Sequence, residues 1–75
     1  METYADKNGN SGISSYKLGT DYIWVRFTSG VTYEYTYSSA GSSSIEIMKS
    51  LAISGSGLNS YIMKYVKKSY SRIIR

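Results

Sequence analysis

Tyr22, Trp24 and Arg26 alternate along the segment YIWVRF, and that spacing puts all three side chains on one face of a β-strand. Flat rings beside a guanidinium can stack on nucleic-acid bases while the cation neutralises a phosphate. A second store of positive charge lies at the C-terminal end, where Lys64, Lys67, Lys68, Arg72 and Arg75 fall within the last twelve residues and no acid joins them. These eight residues are the candidate binding residues for RNA or single-stranded nucleic acid. The same enrichment in Tyr, Trp and Arg is the composition of a protein-interaction hot spot. A protein–protein or homodimerisation module using the same aromatic sheet face is therefore the alternative. The basic block is also what a solvated face that keeps a small domain soluble would look like.

Little else in the chain can do chemistry. There is no cysteine and no histidine, so disulfides, thiolate zinc sites and Cys or His catalysis are absent within one chain. The acids Glu2, Asp6, Asp21, Glu34 and Glu46 show neither metal-ligand spacing nor a paired arrangement. Tyr33, Tyr35 and Tyr37 share a strand face that is read as packing with satisfied hydroxyls. Ser54-Gly55-Ser56-Gly57 lacks the Lys-Ser/Thr continuation and strand-to-helix context of a phosphate-cradling loop. The expectation is a non-catalytic module with no cofactor, no metal and no evident small-molecule substrate. Apolar runs are only a few residues long, and METYADKNGNSG has no hydrophobic signal region. No membrane partner is expected, and the cytoplasm is the expected address.

The elements that must position Trp24 are read from residues 23 to 37, IWVRFTSGVTYEYTY, two alternating runs around a turn. A two-residue turn at Ser29-Gly30 would set Ile23, Val25 and Phe27 opposite Thr32, Glu34 and Thr36, mixing polar and apolar side chains on both faces. A three-residue loop, Thr28-Ser29-Gly30 with Gly30 left-handed, pairs Phe27 with Val31, Val25 with Tyr33 and Ile23 with Tyr35. That register gives one apolar face and is the expected one. It leaves Tyr22, Trp24 and Arg26 beside Thr32, Glu34 and Thr36 on the opposite face.

A chain of 75 residues with 41% apolar content makes one small core. Residues 1–12 are polar and Gly-rich and are expected as a flexible arm, with a single domain over 13–75. Ile13 to Leu18 forms a first strand, turned back by Gly19-Thr20-Asp21. After Tyr37 the alternation stops, and Ser43 with Glu46 has the spacing of a capping box. A helix with Ile45, Met48, Leu51 and Ala52 as its stripe runs from there to Ser54. A second helix carries Leu58, Tyr61, Ile62, Tyr65 and Val66, which puts Lys64 and Lys68 one turn apart on a shared face. SYSRIIR at the end is too short to assign, although Ile73 and Ile74 point to docking on the body or on another chain. The fold class is α+β, a three-stranded antiparallel meander followed by two helices packed on one face (β-β-β-α-α). Its expected core is Ile23, Val25, Phe27, Val31, Tyr33 and Tyr35 from the strands, with Ile45, Met48, Leu51, Leu58, Ile62 and Val66 from the helices.

In order along the chain, I-x-V-x-F-x-S-G at Ile23 to Gly30, Y-x-Y at Tyr33 and Tyr35, A-x-S at Ala52 to Ser54, N-x-x-I at Asn59 to Ile62 and Y-x-R-I at Tyr70 to Ile73 resemble the KTSC domain. The resemblance runs from about Ser14 to Ile73. KTSC domains occur at the C-terminus of some lysyl-tRNA synthetases and as stand-alone proteins. The resemblance brings no established activity with it, and through the synthetase context it implies RNA binding.

Overall fold

The computed structural model describes residues 1–7, 9 and 11–74. The chain is α+β: one antiparallel sheet with its helices packed on one side. Five strands lie in sequence order across that sheet: β1 (Glu2–Thr3), β2 (Ile13–Leu18), β3 (Tyr22–Phe27), β4 (Thr32–Thr36) and β5 (Arg72–Ile74). Between β4 and β5 come α1 (Tyr37–Ala40), α2 (Ser42–Ser54), α3 (Leu58–Tyr61) and a π-helical turn, Ile62–Val66. Among the described residues no helix is long and apolar enough to cross a membrane.

The central hairpin has the register that a three-residue loop demands. Ile23 pairs with Tyr35, Val25 with Tyr33 and Trp24 with Glu34. Gly30 takes φ 98°, and the Phe27 and Val31 backbones close the loop with an N–H to carbonyl bond of 2.9 Å. In β2 strict alternation would set Ile13 and Tyr16 on opposite faces, yet both are buried. A bulge reconciles them: Ile13 pairs with Phe27 and Ser15 with Arg26, so Ser14 is an extra residue that resets the face.

The core lies between the sheet and the helices. Ile13, Tyr16, Ile23, Val25 and Tyr35 meet Ile45, Met48 and Ala52 of α2, followed by Leu58, Ile62 and Val66. Phe27, Tyr33 and Leu51 are only partly buried against this cluster, and Val31, expected inside, lies outside β4 and is 37% exposed.

The meander has two strands more than the three expected. The segment 1–12, expected as a flexible arm, is tied to the body: Glu2 and Thr3 pair with Tyr16 and Ser15, and the Lys7 N–H donates to the Gly55 carbonyl at 2.7 Å. Tyr4 supplies the reason, because its ring is buried in the core at 4% exposure. At the other end Ile73 pairs with Tyr33 and Arg72 with Glu34, so the unassigned tail is a fifth strand.

The helical boundaries also differ from the expected ones. Tyr37 leaves the sheet because Thr36 and Ser39 form a reciprocal cap that starts α1. The expected Ser43/Glu46 box does not form: α2 starts at Ser42 behind Gly41, without a side-chain cap. Glu46 instead accepts from the Tyr37 hydroxyl at 2.6 Å and pairs with Lys49 at 3.1 Å. Beyond α3 the expected regular helix widens into the π-helical turn, which changes the angles at which the lysines leave the chain.

Candidate nucleic-acid interface

The outer face of the sheet, away from the helices, carries a row of side chains built by pairing alone. Lys17 of β2 lies beside Trp24 of β3, Trp24 beside Glu34 of β4, and Glu34 beside Arg72 of β5. Each neighbouring pair is in contact. The Lys17 ammonium stands 4.7 Å from the centre of the indole ring, a cation–π distance. The indole N–H donates to Glu34 Oε2 at 2.9 Å. Arg72 Nε donates to Glu34 Oε1 at 3.2 Å, and the Ser71 hydroxyl donates to the same oxygen at 2.6 Å. Tyr22, two residues before Trp24 on the same strand face, stacks on the indole with centroids 5.9 Å apart and planes 25° apart.

Glu34 is the fixed point of this row. The Ser71 hydroxyl first, then the indole N–H and Arg72, hold its carboxyl below its ordinary 4.5, against the opposing effect of burial. A carboxylate favoured in the folded state contributes stability that is fully present above pH 4.5 and is lost as pH falls through the lowered value. Glu34→Gln is therefore expected to flatten the fall in melting temperature below pH 4.5. Glu46, whose carboxyl is held low by the Tyr37 hydroxyl and Lys49, contributes to the slope that remains. Thermal melts of the two proteins between about pH 3 and 7 test this, and an unchanged pH profile in the variant would contradict it.

Of the expected site residues, the structure brings Tyr22, Trp24, Arg26 and Arg72 onto one face. Arg26 is exposed there and forms no ion pair among the described residues. Lys67 and Lys68 do not join them. They border a concavity with Phe27, Tyr33 and Tyr35, which strand alternation places on the helix side of the sheet. Lys64 lies in the π-helical turn with its ammonium 5.5 Å from the Tyr65 ring. Arg75 lies outside the described residues. The aromatic strip and the pair Lys67 and Lys68 thus lie on opposite sides of the sheet. The helices that carry these lysines are committed to the core on the other side of the sheet.

Lys17 was not among the expected residues. Its signal is its place in Ile13–Leu18: carrying the hairpin register one strand further puts Lys17 opposite Trp24. Beside it, Met1, Glu2, Lys17, Leu18 and Trp24 line an open depression of about 460 Å³ at the β1 end of this face. No three His, Cys, Asp or Glu residues converge as candidate metal ligands among the described residues. The arrangement can offer stacking surfaces and cations to a flat, anionic partner. No family model, curated protein or solved structure matches the chain.

Proposed function

We propose that this chain is a small, non-catalytic, KTSC-like module of the cytoplasm that binds single-stranded nucleic acid, RNA in the first place, across the outer face of its sheet. The observation that carries this reading is the stacked Tyr22–Trp24 pair on the central strand, on the face without helices, with Lys17 and Arg26 around it. Glu34 does not oppose the reading, because its charge is already paired with Arg72 and it fixes the indole by a hydrogen bond. A fixed ring loses little freedom when a base stacks on it. Binding displaces the Lys17 ammonium from the ring toward a phosphate, a short movement for a flexible side chain.

The exposed apolar side chains of Met1 and Leu18 next to Trp24 favour a second reading, in which two copies associate through this same face. Salt separates the two, since phosphate binding weakens steeply with ionic strength and aromatic burial between proteins does not.

The test is a titration with labelled single-stranded RNA at about 50 and 200 mM salt, followed by anisotropy and by the fluorescence of the single tryptophan. Saturable, salt-weakened binding with Trp24 quenching is the expected result. Trp24→Ala is expected to keep the fold and to weaken binding by about 1 to 3 kcal/mol, the value of one stacked base. Absence of binding at both salts, with concentration-dependent association in sedimentation, would replace the nucleic-acid reading by the second one.

A further inference from the structure

On the helix side of the sheet, at the end away from the β2–β3 turn, there is a second concavity of about 280 Å³. Ligand pockets commonly run from about 300 to 1,000 Å³, so this one suits a single ring system, with the rest of a ligand left at the mouth. Its walls are aromatic. The Phe27 and Tyr33 rings meet edge to face at 5.6 Å and 90°, and those of Tyr33 and Tyr70 at 4.8 Å and 79°. A further flat ring can meet such side chains edge to face or offset-stacked, the arrangements that aromatic pairs prefer. Tyr35 lies deepest, 1% exposed. Burial first, then the neighbouring phenols of Tyr33 and Tyr70, push its hydroxyl up to about 12, so it stays a protonated donor well into the alkaline range.

The mouth is cationic. Lys67 and Lys68 border it, both exposed, and none of the lining residues is acidic. Both lysines follow directly on the π-helical turn Ile62–Val66. In an α-helix, at about 100° per residue, Met63 and Lys67 would share a face and Lys68 would point a further third of a turn away. Met63, Lys67 and Lys68 all border the concavity, so the chain that leaves the π-helical turn after Val66 keeps both lysines on the side of Met63. The helix departs from its regular form just before the two cations that border the aromatic pocket. Such π-helical insertions are frequent at functional sites.

We infer that this concavity binds a nucleoside monophosphate, its base against Phe27, Tyr33 and Tyr70 and its phosphate between Lys67 and Lys68. The floor argues for a base over a plain phenyl ring: a nucleobase offers ring nitrogens and carbonyls to the Tyr35 hydroxyl, and the ring of a phosphotyrosine offers nothing. The site is separate from the outer face, across the thickness of the sheet from Trp24. Its occupancy stands or falls independently of binding there.

The experiment is a titration of the ¹⁵N-labelled protein with adenosine monophosphate, followed by amide shifts, with the Trp24 indole N–H as a reporter of the opposite face. Shifts are expected at residues 63–70 and at Phe27, Tyr33 and Tyr35, with the indole signal unmoved. Adenosine and ribose 5-phosphate, each carrying half the recognised chemistry, are expected to bind at least about tenfold more weakly. The exposed double variant Lys67→Gln/Lys68→Gln is expected to weaken the nucleotide by about tenfold or more and to leave adenosine unchanged. Shifts at Trp24 instead of residues 63–70, no shifts at millimolar nucleotide, or phosphotyrosine binding as tightly as the nucleotide would each overturn the assignment.

Discussion

Replacing Tyr4 by Ala is expected to lower stability by about 3 to 5 kcal/mol, the range for truncating a buried aromatic side chain. In a domain of this size that is a drop of about 12 to 40 °C in melting temperature, enough to unfold much of the population. The ring is buried among core residues contributed by the sheet and the helices. Its hydroxyl has a second task. α3 has only four residues, and its N-cap is Gly57, which has no side chain with which to satisfy the first amides. The Tyr4 hydroxyl takes over that role from 54 positions away, accepting the Leu58 N–H at 3.3 Å. Tyr4→Phe keeps the packing and removes only the cap, leaving a buried amide unpaired at about 1 to 3 kcal/mol. Thermal or urea melts should therefore rank wild type above Tyr4→Phe and Tyr4→Ala lowest. Wild-type melting of Tyr4→Ala would mean that residues 1–7 are not part of the cooperative unit.

That result bears on what could be seen in the chain before its fold was known. The Trp24 hairpin was legible, because Ile23, Val25 and Phe27 and then Tyr33 and Tyr35 repeat every second residue around a glycine that can take positive φ. The apolar stripe of α2 was legible for the same kind of reason. β1 and β5 were not, since strands of two and three residues have no measurable period and exist only because a neighbour offers an edge. Missing them hid the role of Tyr4 and left Arg72 as one charge in a basic block, when it sits directly beside Glu34. The bulge at Ser14 and the π-helical turn each shift side chains by one position. A periodic reading treats such a shift as noise, and here it matters: the bulge buries Tyr16 with Ile13, and the π-helical turn lies just before Lys67 and Lys68 at the aromatic pocket. The outer face was legible as a surface and illegible as a network, because the pairing of Lys17, Glu34 and Arg72 around Trp24 spans four strands.

Gly55→Ala is expected to destabilise by about 2 to 5 kcal/mol through two separable causes. Gly55 ends α2 in the left-handed region at φ 80°, and its N–H donates to the Leu51 and Ala52 carbonyls at 3.0 and 3.2 Å. A side chain there costs about 1 to 2 kcal/mol from backbone conformation alone. The second cause is tertiary. A Cβ at this position would lie 2.6 Å from the Ala5 Cβ, a contact that neither short side chain can relieve by rotating. The backbone would have to part, and the same backbone carries the Lys7 to Gly55 hydrogen bond of 2.7 Å. Ala5→Gly opens that space and leaves φ at residue 55 unchanged, so it is expected to rescue the steric part of the loss and not the conformational part. In a double-mutant cycle measured by urea denaturation, Gly55→Ala should be less damaging in the Ala5→Gly background by about 1 kcal/mol or more. Strict additivity would mean that the N-terminal segment does not press on the α2–α3 corner. The docking of Tyr4 into the core would then have to hold without the close approach at Gly55 that leads the chain away from it.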